Sequence, residues 1–178
     1  MADLTRVDRR DGPSRRVKDI GDGLYADVVG AVGDENVFDL TLTLDTSAYA
    51  SGDVLSATAE ITGFFVSTTS SRIITSVRVL DEDDQAGDFD IIFLDANKSL
   101  GMANAAVSIT DADARSIIGQ VAVASSDYKD LGGNQVAVIS NIGQIVKANG
   151  STSIWIGTVS RAAKTYTAAG IRLKIGVL

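Results

Sequence analysis

The sequence predicts an all-β fold: an antiparallel β-sandwich with one short helix and an extended N-terminal arm. Three observations point there. Short stretches alternate apolar and polar residues with a period of two, as half-buried strands do. Seventeen glycines and several polar clusters punctuate those stretches, against a single proline. Amphipathic helical stretches are missing, which excludes a Rossmann fold or a helical bundle. At 178 residues, 45% of them hydrophobic, the chain is sized for one domain with a substantial core. We divide it into a basic arm, 1–20, and a single β-sandwich domain, 21–178.

The arm differs from everything after it. Arg6, Arg9, Arg10, Arg15, Arg16 and Lys18 alternate with Asp3, Asp8, Asp11, Gly12 and Pro13, the only proline. It holds too few apolar residues to fold alone. It reads as a solvated tail, as an arm that orders on an acidic partner surface, or as a nucleic-acid arm. Arginine suits the second role because its planar fork pairs with carboxylates. Acids within the arm, and a net charge of −7 for the chain, weigh against nucleic acid. Residues 20–36 are glycine-rich and read as a loop or short edge strand leading into the domain.

Residues 37–45 give the cleanest strand, with Phe38, Leu40, Leu42 and Leu44 inward and Asp39, Thr41, Thr43 and Asp45 outward. After a loop at 46–53, residues 55–66 alternate through Leu55, Ala57, Ala59, Ile61 and Phe65. Residues 67–71 turn the chain into the stretch 73–97, which reads as a central hairpin. Its first strand places Ile73, Thr75, Val77 and Val79 on one face. Its tip is the acidic run Asp81, Glu82, Asp83, Asp84. Its second strand, from Phe89 to Leu94, is apolar on both faces and so is central in a sandwich or covered by another subunit. Residues 98–106 read as loop and 107–109 as a short strand. Thr110 and Asp113 form a capping pair that starts a helix over 111–118, stopped by Gly119. Further strands are expected at 120–124, 135–140, 153–160 and 171–177, nine or ten in all. Gly132, Gly133 and Asn134, then Asn149, Gly150 and Ser151, separate them.

Chemistry-bearing constellations are few. The chain has no cysteine and no histidine. A histidine base, a Ser-His-Asp triad and a Cys or His metal site are therefore excluded. The run from Asp81 to Asp84, with Asp88 and Asp90, reads as a solvated hairpin tip or a loose divalent-cation site; its spacing is not that of an EF-hand. Glu60, Asp90 and Asp95, with Trp155, are the residues a carbohydrate-active sandwich would use, although one tryptophan is a poor sugar platform. Trp155 and Tyr166 read as core or interface anchors. Gly30, Ala31, Val32 and Gly33 lack the lysine and helix of a phosphate loop. No cofactor is expected. No apolar run approaches the ~20 residues of a membrane span, and no hydrophobic segment follows the N-terminal charges as in a secretory signal.

Four stretches together carry a resemblance: DTSAYASGDVL from Asp45, SVRVLDEDDQAGDFDIIFLDAN from Ser76, TDADARSIIG from Thr110 and IRLKIGVL from Ile171. They resemble small virion proteins of tailed bacteriophages, some of them capsid decoration (cement) proteins. The similarity covers most of 37–178 and leaves the arm out. It implies a non-enzymatic β-sandwich or jelly-roll subunit on the outer capsid surface of the virion, often a homotrimer, that clamps neighbouring copies of the major capsid protein. Its alternatives are a tail, baseplate or fibre module, or a carbohydrate-binding sandwich. On the decoration reading the arm residues Arg6, Arg9, Arg10, Arg15, Arg16 and Lys18 bind the capsid, since 18 extended residues reach about 60 Å.

Overall fold

The computed structural model describes residues 36–178, with the backbone of β1 (Val17–Asp19) and β2 (Tyr25–Asp27) before them. The chain forms two compact units, Met1–Asn36 and Val37–Leu178. In the first, β1 and β2 pair antiparallel, with Lys18 opposite Ala26.

The second unit is an antiparallel β-sandwich. Its strands are β3 (Val37–Thr41), β4 (Val54–Ile61), β5 (Ser71–Asp81), β6 (Phe89–Leu94), β7 (Ile117–Val123), β8 (Tyr128–Asp130), β9 (Gln135–Lys147), β10 (Ile154–Ser160) and β11 (Ile171–Val177). One sheet has the order β4-β10-β6-β7 and the other β3-β11-β5-β9-β8. The pairing is nested: β3 lies on β11, β4 on β10, β5 on β9 and β6 on β7. The eight strands are thus one long antiparallel ribbon rolled into two layers, with β8 added at an edge.

Alternation explains which faces meet. In β11, Ile171, Leu173 and Ile175 are fully buried and Val177 nearly so, while Arg172 is exposed. Phe38, Leu42 and Leu44 turn inward as their spacing predicts, with Leu40 half-buried. Their partners across the layer include Leu55, Ile91, Phe93, Val121, Ile154 and Ile156. Burying each such side chain contributes about 1.5–3 kcal/mol. Phe64 packs edge-on to Phe65 and tilted against Phe38.

Several expectations are corrected. The stretch 73–97 is no hairpin: β5 belongs to the five-stranded sheet and β6 to the four-stranded one, and neither pairs with the other. Chain neighbours of this kind look like a hairpin in sequence, because alternation reports a strand's faces and not its partner. The inward face of β5 also changes along its length. Arg72 and Ile74 are buried, then Val77 and Val79, while Ile73 is exposed. A register shift between Ile74 and Ser76 against β9 breaks the period, as a bulge does. Register shifts between β4 and β10 likewise leave Ala57 exposed while Leu55 and Ile61 stay in the core.

The helix α1 (Asp111–Ala114) is shorter than predicted. Thr110 Oγ1 accepts from the Asp113 amide at 3.1 Å, as the capping pair requires, but Ile117 already belongs to β7. Residues 107–109 form no strand. They end a long loop that covers the outer face of the four-stranded sheet.

That loop answers why β6 is buried on both sides. Ile92, Leu94, Val54 and Val159 face away from the main core and pack under Leu100, with Ile109 and Trp155 alongside. Backbone bonds pin the loop down: Val54 N donates to Ala105 O, Asn104 N to Val54 O, and Val107 N to Gly52 O. Thr58 Oγ1 donates to Lys98 O at 2.8 Å. Gly157 lies beneath, where any Cβ would run into Leu100. The inner face of β6 thus meets the opposite sheet, as a strand central in a sandwich does, and its outer face is covered by this chain's own loop.

Candidate functional site

Arg6, Arg9, Arg10, Arg15 and Arg16 lie outside the described residues. Lys18 belongs to β1, and only its backbone is described.

The acidic run joins β5 and β6 across the two sheets and is no hairpin tip; Glu82 and Asp84 are exposed, whereas Asp81 and Asp83 are turned to partners within the fold. Asp81 is fully buried. Its Oδ1 accepts from Asp83 N at 3.0 Å, and its Oδ2 accepts from Gln85 N at 2.9 Å and Ala86 N at 2.8 Å. Three backbone donors of a sheet-to-sheet crossing thus close on one carboxylate. Burial nonetheless pushes its pKa above the ordinary carboxylate value. Asp83 turns the other way and grips Thr167, accepting from its amide at 2.7 Å and its hydroxyl at 3.0 Å. Asp84 accepts from Gln135 Nε2 at 2.7 Å, and Asp88 accepts from the Ser125 amide. Asp81 thus holds its own turn, Asp83 and Asp88 hold other turns, and Asp84 holds the first residue of β9. Among the described residues no group of three acidic side chains is placed to hold a metal ion.

The candidate carbohydrate residues are dispersed as well. Arg161 binds Asp90 through Nε at 2.7 Å and Nη2 at 2.6 Å, both on Oδ2. Asp95 accepts from Asn149 Nδ2 at 3.0 Å. Glu60 is opposite Trp155 on β10, whereas Asp90 is opposite Val159. Four residues along the strand and two strand spacings put Glu60 and Asp90 about 16 Å apart. Paired glycosidase carboxyls stand about 5–9.5 Å apart. Trp155 is half-buried against the covering loop's cluster, and Tyr166 is a core residue.

Tyrosine hydroxyls here serve the architecture. The Tyr49 hydroxyl accepts from Asp45 N at 2.6 Å and donates to Leu55 O at 2.9 Å, bracing the loop before β4. Burial raises the pKa of Tyr49, and more strongly that of Tyr128 and Tyr166, so all three stay protonated.

The surface that sequence reasoning missed is the outer face of the five-stranded sheet. A shallow groove of about 290 Å³ crosses β3, β11 and β5 there. Lys174 Nζ meets Asp39 Oδ1 at 2.8 Å and Arg172 Nε meets Glu82 Oε1 at 2.8 Å across its floor. Beyond the groove the same face carries exposed Ile73, Val138, Ile145 and Leu178. The bulge in β5 hid part of this face, since unbroken alternation assigns Ile73 to the core.

No protein-family model matches the chain, and no curated protein matches it.

Proposed function

We propose that this is a virion structural protein of a tailed bacteriophage: a capsid decoration protein on the outer surface of the head, self-associated, that clamps neighbouring copies of the major capsid protein. The observation that carries the reading is how the domain uses its polar groups. Asp81, Asp83, Asp84, Asp88 and Asp90 each accept a hydrogen bond from another group of the same chain. Outward, the five-stranded sheet bears exposed aliphatic side chains beyond its charged groove. That division of labour suits a building block better than an enzyme.

The nested strand order supports the jelly-roll part of the reading. Pairing first with last, second with second-last, and so inward is what eight strands give when two Greek keys are rolled together. The arm, with Arg6, Arg9, Arg10, Arg15, Arg16 and Lys18, is the proposed capsid contact. Bound copies stabilise the shell by mass action, because they bind the assembled state.

Co-sedimentation with purified heads tests this. Deleting residues 1–18 should leave a folded β-domain that no longer travels with the heads. A truncated protein that decorates heads as fully as the intact chain would end the arm model. Cryo-EM localisation on the tail in place of the head would favour a tail or baseplate module.

A further inference from the structure

We propose that the outer face of the five-stranded sheet, at the end bearing Ile73 and Ile145, is where a second copy of this chain packs. Five of the ten large hydrophobic side chains exposed among the described residues stand on this one face: Val37, Ile73, Val138, Ile145 and Leu178. A lone exposed aliphatic is ordinary, but several on one flat surface mark a contact site.

Register sharpens the pattern. Ile73 and Leu178 exchange both backbone hydrogen bonds at 2.9 Å, and Ile73 is opposite Ile145 on the other side. The three form one row across three strands. The adjoining row runs Val37, Gly176, Ser76, Ser140. Neither row contains a charged residue. In the row after that, Lys174 pairs with Asp39, and Arg78 stands exposed between Lys174 and Val138, so the uncharged surface is confined to the first two rows.

That absence of charge is what selects a second copy as the occupant. With a net charge of −7, two copies repel wherever their charged surfaces meet. Two uncharged rows let like approach like, and aliphatic surface is complementary to itself. The opposite sheet needs no such partner, because Leu100 and its loop already fill its outer face.

This inference rests on the self-association part of the proposed function and not on head binding, so the two fail separately. The test is native mass spectrometry with sedimentation equilibrium on the full chain, comparing wild type with the double variant Val138→Glu, Ile145→Glu. Both positions are solvent-exposed, so circular dichroism should match wild type, with Tm lowered only by the lost association. Wild type should exceed the mass of one copy, and the variant should dissociate about tenfold or more readily, equivalent to ~1.4 kcal/mol. Met102→Glu, exposed on the covering loop, should leave the mass unchanged. A monomeric wild type, a double variant with wild-type mass, or dissociation by Met102→Glu would each overturn the proposal. If the double variant unfolds, Ile145→Ser replaces it and must shift the same equilibrium.

Discussion

Asp81 shows at the scale of one residue how composition misleads. In sequence it is the first of four consecutive acids, and such a run reads as solvated. In the fold it is the buried acceptor for three loop amides, while Glu82 beside it reaches out to Arg172. Strand parity decides the difference: Asp81 continues the inward face of Val77 and Val79. Replacing it with alanine strands buried donors, and we expect a loss of about 3 kcal/mol in chemical denaturation. Its pH signature is also defined. The folded protein holds the Asp81 proton more tightly than the unfolded chain, whose ordinary value is 3.8. Its stabilising contribution is therefore complete below that value and disappears as pH rises through the elevated one. Asp45, lowered chiefly by the Ser47 amide, and Asp113, lowered chiefly by Lys98, behave oppositely and lose their contribution as pH falls. An Asp81→Asn variant has no such titration, so its deficit against wild type should narrow between pH 4 and pH 7. A deficit that widens over that range would show that burial does not dominate.

At the scale of elements, the covering loop is the feature with the clearest mechanical logic. Leu100 fills the space above Gly157, and the two must be read together. Gly157→Ala should destabilise by about 1–3 kcal/mol through overpacking. Leu100→Ala should do so by about 2–4 kcal/mol through a cavity. Combined, they should cost less than their sum, because each relieves the other's fault. Strict additivity in a double-mutant cycle would mean that the loop does not press on the glycine. The sequence showed the strands at 37–41 and 171–177 well, since their alternation is unbroken and one face is buried. It also showed the helix start, which depends only on Thr110 and Asp113. It did not show that β5 and β6 part company, or that residues 98–109 seal the face of β6. Both depend on partners distant in the chain. The bulge in β5 was illegible for a related reason: Thr75 and Ser76 fit either face.

At the scale of the whole molecule, the described domain turns several carboxylates to ion pairs and loop clasps and leaves two uncharged rows on the outer face of the five-stranded sheet. The arm was visible as a change in composition, and the function proposed for it is carried by charge and reach alone. The rolled order of strands, by contrast, follows from no local signal, because each long-range pair is fixed only when the core closes.

That order has a consequence for how the protein is made. β11 lies between β3 and β5, in the interior of a sheet, yet it is the last of the sandwich's strands to be synthesised. Until it arrives, β3 has no neighbour and β5 lacks one edge, so a nascent chain exposes strand edges for most of its synthesis. Pairing at such sequence separation is slow, on the order of milliseconds to seconds. Nascent chains arrested before Ile171 should stay protease-sensitive and chaperone-bound, and resistance should arrive in one step once Val177 clears the exit tunnel.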